Sequence, residues 1–362
     1  MAHCRKTQLS IFLTHRCNLR CIYCYVGAKE QDRSVIDYEF VKRGILDFFQ
    51  NYDSREIRFF ATGEPTLEFE LMRKIKDWAF EQAGEDCRFE LQTNGFFSTK
   101  TAEWIGKNID IVWISCDGPS EIQNYYRPTP AGRPSSDIVE KNIRYFVAKP
   151  IVLGCRATIG ARNVEKQREM IEYFAHLGVK VVMSDPMFPP VGKYSGQIVE
   201  CEAPDLREYA EHFLEARRYA IERDIFYGSI LTANFDEETE YFCRACIPYP
   251  HLTVDGYVSA CDMAFFGADP AMKDLIYGRY IPEEGRIEYD QEKIKLIKSR
   301  STQNMPHCQD CSVLKNCAGA CLGEALNETG SIFGIKPHVC EVIRYLAKRM
   351  PLNQGLYPYL HP

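Results

Sequence analysis

Short apolar runs alternate with helix-like segments along residues 7–185 of the chain. Six of these runs have the length and the β-branched and aromatic content of buried strands: QLSIFLT, EIRFFAT, CRFELQT, IDIVWIS, IVLGCRATI and VKVVMSD. Between most of them the apolar positions recur at helical spacing, as they do in YEFVKRGILDFF. The alternation predicts an α/β fold with a parallel sheet built from βα units.

Six units of this kind fit a partial (βα)6 barrel of the TIM type better than a doubly wound sheet. The reason is that no dinucleotide-type glycine fingerprint follows the first strand. In the last of the helical segments, Gly178 has the position of a C-terminal cap. In barrels of this type the functional residues lie at the carboxyl ends of the strands.

The character of the chain changes after the sixth strand. A loop, MFPPVGKYSGQ, precedes one long amphipathic segment in which Asp205 is a candidate N-cap. Further on, HLTVDGYVSACD predicts a hairpin with Asp255-Gly256 at its turn. We expect a barrel over residues 1–188, a helical bridge over 189–240, a small cysteine-rich α+β domain over 241–345 and a C-terminal tail over 346–362.

Composition narrows the class of protein. The net charge is −6 and no long basic run is present, which argues against a nucleic-acid partner. No apolar stretch approaches the ~20 residues of a membrane helix, and the first residues lack the features of a signal peptide. We therefore expect a cytoplasmic protein with no membrane partner. In a reducing compartment, its 16 cysteines indicate metal or cluster ligands rather than disulfides.

Three cysteines follow the first strand in THRCNLRCIYCY, where Cys17, Cys21 and Cys24 have the spacing C-x3-C-x2-C. Three thiolates can hold three irons of a cubane cluster and leave the fourth iron open to another ligand. The alternatives are a zinc knuckle or redox-active thiols. Zinc normally takes four ligands in a closed site, and no further His or Cys follows at a suitable offset.

This loop resembles the signature of the radical S-adenosylmethionine (SAM) superfamily, including the aromatic Tyr23 before the last cysteine. The resemblance implies a 4Fe–4S cluster whose open iron chelates SAM, and a 5′-deoxyadenosyl radical that abstracts hydrogen from the substrate. It also implies an electron donor such as flavodoxin or ferredoxin.

Further motifs follow successive predicted strands. After the second strand, Thr62-Gly63-Glu64-Pro65 resembles the GGEP motif, whose backbone binds the SAM amino group, with Thr62 in place of the first glycine. By the same resemblance Ser115 would contact the ribose and Arg127 the SAM carboxylate.

The last third of the chain contains a second set of cysteines that resembles the SPASM extension of radical SAM enzymes. The resemblance implies two auxiliary 4Fe–4S clusters, and thus three clusters in all. One would use Cys243, Cys246, Cys261 and Cys321, and the other Cys308, Cys311, Cys317 and Cys340. If the closely spaced Cys243 and Cys246 cannot reach one cluster, an auxiliary iron would be open to substrate. A structural zinc ribbon is the alternative for the whole region.

Five cysteines, Cys4, Cys87, Cys116, Cys155 and Cys201, stand outside both sets, and we expect buried structural thiols there.

Asp262 directly follows Cys261. In radical SAM sulfatase maturases an aspartate in this position acts as a base, and a carboxylate beside an anionic cluster would have a raised pKa. The alternative is a residue at the end of a hairpin that accepts hydrogen bonds from nearby backbone amides.

The resemblance implies a peptide or protein substrate, modified by a thioether or carbon–carbon crosslink or a related oxidation. Many maturases have an N-terminal leader-peptide domain, and the few residues before the first strand predict that it is absent here, where a separate recognition protein could replace it. A sulfatase-maturase-like enzyme that makes formylglycine is the first alternative. The others are a non-catalytic iron–sulfur electron carrier and a radical SAM enzyme acting on a small molecule, although relatives of that last type often have fewer cysteines.

Overall fold

The computed structural model describes residues 7–27, 34–60, 62–197 and 199–354. Its strands are β1 Leu9–Phe12, β2 Glu56–Phe60, β3 Arg88–Thr93, β4 Ile111–Ser115, β5 Val152–Ile159, β6 Val181–Pro186, β7 Phe226–Gly228, β8 His251–Leu252, β9 Tyr257–Ser259, β10 Ile276–Ile281 and β11 Arg286–Tyr289. Its α-helices are α1 Tyr38–Asn51, α2 Phe69–Ala83, α3 Thr99–Asn108, α4 Ser120–Tyr126, α5 Ser136–Val147, α6 Gln167–Leu177, α7 Leu206–Ile221, α8 Gln291–Lys298, α9 Leu314–Cys317, α10 Leu322–Thr329 and α11 Pro337–Ala347.

All of these strands belong to one sheet in the order β11-β10-β9-β8-β1-β2-β3-β4-β5-β6-β7. Strands β1 to β7 are parallel and neighbour one another in chain order. The predicted α/β fold, with a parallel sheet as its core and a cysteine-rich region after it, is confirmed. The six predicted strands coincide with β1 to β6 to within a few residues.

The sheet extends beyond the six predicted units at both ends. The bridge contributes a seventh parallel strand, β7, whose three residues are too few to show a periodicity. At the other end β8 pairs in parallel with β1, and β9 to β11 continue as antiparallel strands. The cysteine-rich region thereby covers the edge of β1, whose backbone groups would otherwise lack partners.

Alternation along the strands separates the core from a cavity on the other face of the sheet. In β4, Val112 and Ile114 are fully buried in the main hydrophobic core, whereas Trp113 and Ser115 line the cavity. This is the period of two that a strand imposes on its side chains. Polar residues inside otherwise apolar strands therefore mark the functional face.

Local sequence signals end and begin the helices where predicted. Gly178 ends α6 in the left-handed conformation, with φ of 83°, and its amide donates to Phe174 and Ala175. At α7 the Asp205 carboxylate accepts hydrogen bonds from the amides of Arg207 and Glu208, both at 2.9 Å.

The predicted hairpin is present as β8 and β9, and Gly256 at its turn has a φ of 84°. Asp255 in the same turn accepts hydrogen bonds from the amides of Gly267 and Ala268, both at 3.0 Å. The turn thus fixes the segment that follows Cys261.

Of the extra cysteines, Cys87, Cys116 and Cys155 are buried as expected, whereas Cys201 is only half-buried, with its sulfur 3.3 Å from that of Met187. Cys4 and the outer ends of the first and last expected domains lie outside the described residues. Within the described part of the chain, no helix has both the length and the apolar character needed to cross a membrane.

Helix α5 offers a matched test of the core. Ile143 is fully buried, and Ile143→Ala should lower the free energy of unfolding by about 2–5 kcal/mol because it leaves a cavity. Ile138 on the same helix is 40% exposed, and Ile138→Ala should change that free energy by less than about 0.5 kcal/mol. Anaerobic urea denaturation measures both, and equal losses would contradict the packing described.

Candidate active site

A cavity of about 280 Å³ lies at the carboxyl ends of the parallel strands. One wall is the cysteine loop after β1, and the opposite wall belongs to the cysteine-rich region. Six cysteines line it, namely Cys17, Cys21, Cys24, Cys243, Cys261 and Cys321. The chain therefore brings cysteines more than 200 residues apart in sequence to one space.

The loop after β1 is anchored on the end of α4, where the amides of Arg20 and Ile22 donate to Pro128 and Tyr126. Burial raises the pKa of the Cys17 thiol to about 11 and also raises that of Cys21. Such thiols stay protonated without a metal, and a soft metal must displace their protons to bind.

The loop after β2 packs directly on this cysteine loop. A Cβ atom on Gly63 would lie 2.3 Å from the Arg16 carbonyl oxygen, so only glycine fits. The next amide, of Glu64, donates to that same oxygen at 2.7 Å. Thr62, which replaces the family's first glycine, does not adopt a left-handed backbone, and its hydroxyl donates to the Thr14 carbonyl at 3.4 Å.

Only Thr62 and Gly63 of the predicted four-residue motif line the cavity. Glu64 is fully buried behind them and accepts hydrogen bonds from the Thr66 and Thr93 hydroxyls at 2.6 and 2.7 Å and from the Asn94 amide at 2.8 Å. Burial raises the pKa of Glu64, and these donors partly offset the rise. The Glu64 side chain thus ties the loop after β2 to the loop after β3.

Asn94, to which the sequence assigned no role, adds a contact to the cysteine loop. Its Nδ2 lies 2.8 Å from the Asn18 Oδ1 and 3.7 Å from the Cys17 sulfur. Hydrogen bonds to cysteine sulfur tune the potential of iron–sulfur sites. The sequence feature that pointed to Asn94 is its position after the third strand, in Gln92-Thr93-Asn94-Gly95.

Ser115 and Arg127, whose contacts with SAM stay a prediction, both line the cavity. Arg127 donates to both Asp117 oxygens, at 2.9 and 3.2 Å, and its guanidinium lies 5.2 Å from the centre of the Tyr23 ring. The Tyr23 hydroxyl donates to Asp117 at 2.5 Å. Burial opposes the charge of Arg127, but Asp117 and Tyr23 hold its pKa above the usual value. Asp117 is the residue missed here, although it lies within the motif that contains Ser115.

The cysteines of the last third form two groups. A one-turn helix over Arg244–Cys246 brings Cys243 and Cys246 into hydrogen-bonding contact, and Cys261 and Cys321 lie close enough to raise the pKa of Cys243 further. A second cavity, of about 170 Å³, is lined by the other group, Cys308, Cys311, Cys317 and Cys340, and Cys321 lines both cavities. These are the two sets that the resemblance implied; which cysteines act as ligands stays a prediction.

Asp262 lies on the cavity wall beside two arginines and a histidine. It pairs with Arg58, its Oδ1 is 2.9 Å from the His251 Nε2, and Arg244 is 3.5 Å away. Burial favours the neutral acid, but these three neighbours outweigh burial and hold the pKa of Asp262 well below its usual range. The expected rise in pKa is therefore wrong for this chain. The partners named here are side chains, unlike the backbone amides of the alternative.

Two further charged residues on the cavity wall were not predicted. Arg156 on β5 and Asp185 on β6 form an ion pair at 3.4 Å. Asp185 also accepts a hydrogen bond from the Ile230 amide at 2.7 Å. The sequence feature that could have identified them is a charged residue inside, or at the end of, an apolar strand.

A partial barrel with three cysteines after its first strand defines the class of protein. The chain matches the model of the Radical SAM superfamily over residues 11–191, and it belongs to this superfamily of enzymes.

Relatives extend the similarity along the chain. An uncharacterized protein of Methanocaldococcus jannaschii is 31% identical over 216 residues, which cover 59% of this chain and 72% of the relative. The cysteine-type anaerobic sulfatase-maturating enzyme of Clostridium perfringens is 23% identical over 324 residues, which cover 84% of this chain and 85% of that enzyme.

Solved structures show the same fold. Native anSMEcpe with bound AdoMet and Cp18Cys peptide has a TM-score of 0.74 at 17% identity, with 94% of this chain and 95% of that chain covered. Streptococcus suis SuiB bound to the precursor peptide SuiA has a TM-score of 0.66 at 18% identity, with 93% and 76% covered.

Proposed function

We propose that this enzyme modifies a side chain of a peptide or protein by radical chemistry within the 280 Å³ cavity. The observation that carries the proposal is the placement of the Cys17, Cys21 and Cys24 loop opposite Asp262 and the Cys243 group, with space between them. When bound, SAM and a 4Fe–4S cluster would supply an electron and a 5′-deoxyadenosyl radical for hydrogen abstraction.

The residues fit this cofactor pair. Three soft thiols point to iron–sulfur rather than a hard cation, and they face the cavity with no fourth cysteine on their loop. Thr62 and Gly63 offer backbone groups, Ser115 a hydroxyl for the ribose, and Arg127 a cation for the carboxylate. Glu64 would act indirectly because it holds the loops in place.

Two auxiliary 4Fe–4S clusters complete the proposal, which makes three clusters on eleven cysteines. The contact between the Cys243 and Cys246 thiols supports a first cluster with four protein ligands, because the single turn that joins the two residues leaves both thiols side by side. The thiols of Cys308, Cys311, Cys317 and Cys340 line one cavity, together with Cys321 of the first group, and this supports the second cluster. The ligand segments lie far apart in sequence, so the region should fold poorly without its clusters.

A polypeptide substrate is supported by the relatives. The anSMEcpe structure contains a peptide, and SuiB is bound to its precursor peptide. An electron donor such as flavodoxin or ferredoxin and a separate leader-peptide recognition protein belong to the same proposal.

Asp262 would act as the proton acceptor after hydrogen abstraction. Its cationic neighbours keep it ionised at neutral pH, which makes it ready to accept a proton although a weak base. His251 at 2.9 Å and Arg58 would hold the carboxylate in place.

The second candidate is formation of formylglycine, as in a sulfatase maturase. It is favoured by the aspartate after Cys261 and by the similarity to the Clostridium perfringens enzyme over 84% of the chain. Mass spectrometry of the peptide distinguishes the two reactions. A cysteine that is converted to formylglycine loses its sulfur, whereas a crosslinked peptide loses only hydrogen and retains the sulfur.

We expect Cys24→Ala to abolish SAM cleavage and to remove about four irons per chain, because no other cysteine on the loop can replace this thiolate. Iron and sulfide content and 5′-deoxyadenosine formation measure the effect. Cys87→Ala is the control, since Cys87 is buried outside both cavities. Undiminished 5′-deoxyadenosine from Cys24→Ala would remove the basis of the proposal.

Asp262→Asn should leave iron content and SAM cleavage intact but abolish the modified peptide, because the amide cannot accept the proton. Peptide mass spectrometry and 5′-deoxyadenosine assays on the same sample measure the two steps. Asp224→Asn, at a side chain 98% exposed, is the control. Normal product yield from Asp262→Asn would return Asp262 to a structural role.

A further inference from the structure

Arg300 is a buried charge that the site described above does not use. It follows α8 in the cysteine-rich region. Among the described residues, it is the largest side chain that is fully buried. A buried guanidinium is costly unless hydrogen bonds and an opposite charge compensate it.

The guanidinium is saturated with hydrogen-bond acceptors. Its Nε donates to the Ile332 carbonyl at 2.6 Å, and Nη2 donates to the carbonyls of Gly319 and Ala320 at 2.7 and 2.9 Å. Its Nη1 lies 3.3 Å from the Ala318 carbonyl oxygen and 3.8 Å from the Cys246 sulfur. These partners solvate the charge without neutralising it.

The other buried arginines each face a carboxylate. Arg127 pairs with Asp117, and both Arg58 and Arg244 lie against Asp262. No carboxylate among the described residues forms an ion pair with Arg300. Its compensating charge must therefore come from a group other than these carboxylates.

The loop that holds Arg300 has an unusual backbone. Ala318, Gly319 and Ala320 are consecutive left-handed residues, with φ of 46°, 80° and 56°. Two of the three are alanines, for which this conformation costs free energy. The result is that their carbonyl groups face Arg300, while the Ala320 amide donates to the Cys317 carbonyl at 3.0 Å.

Arg300 thus lies between the two cysteine groups. It donates toward Cys246 of one group, and it binds the carbonyls of Ala318, Gly319 and Ala320, which directly follow Cys317 of the other. A 4Fe–4S cluster with four thiolate ligands is an anion, and each added electron makes it more negative. A fixed positive charge nearby stabilises the reduced form over the oxidised form.

We propose that Arg300 is the shared counter-charge of the two auxiliary clusters and raises their reduction potentials. The proposal rests on the three-cluster assignment made above. Arg300 is a positioning residue in this account, because it acts on the clusters through Cys246 and the Ala318–Ala320 loop. The left-handed conformation of Ala318, Gly319 and Ala320 turns three carbonyls toward this one cation.

The test is a potentiometric titration of the reconstituted full-length protein, followed by electron paramagnetic resonance. Arg300→Gln should lower the reduced-to-oxidised ratio of at least one auxiliary cluster about tenfold at a fixed potential, which is about 59 mV for one electron. The potential of the cluster on Cys17, Cys21 and Cys24 should not change. Arg300→Lys, which keeps the charge, should stay near the wild-type potentials, and so should Arg279→Gln at an exposed position.

The possible results separate clearly. Auxiliary clusters that assemble in Arg300→Gln with unchanged potentials would overturn the proposal. If no auxiliary cluster assembles in Arg300→Gln, the Arg300→Lys variant decides. Auxiliary clusters that assemble in Arg300→Lys with wild-type potentials support the charge role. Failure of these clusters to assemble in Arg300→Lys overturns it, because the guanidinium would then have only a structural, hydrogen-bonding role. About four irons per wild-type chain would instead contradict the three-cluster assignment, and the counter-charge proposal with it.

Discussion

The parallel pairing of β1 with both β2 and β8 brings the chemistry of this molecule together. The loop after β1 holds the first cysteine set, and the loop after β2 packs on it so closely that residue 63 must be glycine. The hairpin that begins with β8 leads to Cys261 and Asp262. Because β1 has these two neighbours, residues from the start, the first quarter and the last third of the chain face one cavity.

Charge compensation is the second constraint. Around the cavity, Arg127 pairs with Asp117 on one side, and Arg58 and Arg244 lie against Asp262 on the other, all withdrawn from bulk solvent to a large degree. Removal of one partner from such a pair leaves the other charge buried alone, at a cost of about 3–5 kcal/mol. The pairs therefore fix side-chain positions before any cofactor binds. Arg300 differs because its partners are carbonyl dipoles and a cysteine sulfur.

Local patterns were enough to predict much of the fold. Six strands, the caps Gly178 and Asp205 and the Asp255-Gly256 turn depend on neighbours in sequence, and the structure contains them all. The cysteine spacing likewise indicated two kinds of site, and the structure gathers the cysteines accordingly. The pairing of β8 with β1 could not be predicted, because it joins a two-residue strand to one some 240 residues earlier.

Long-range electrostatics account for the other differences. Asp262 was expected to have a raised pKa because only its neighbour Cys261 was visible in the sequence. Arg58 lies 204 residues away, and no periodicity or motif connects the two. For the same reason Asp117 was passed over beside Ser115, although it holds Arg127. Glu64 and Pro65 belong to a predicted binding motif, yet their side chains lie behind the cavity wall and shape the loop.

The measurement that tests the central claim most directly is anaerobic reconstitution of the full chain, with iron and sulfide counted before SAM and dithionite are added. We expect about twelve irons per chain, as three 4Fe–4S clusters require, and formation of 5′-deoxyadenosine. Zinc in place of iron, or iron with no cleavage of SAM, would contradict it.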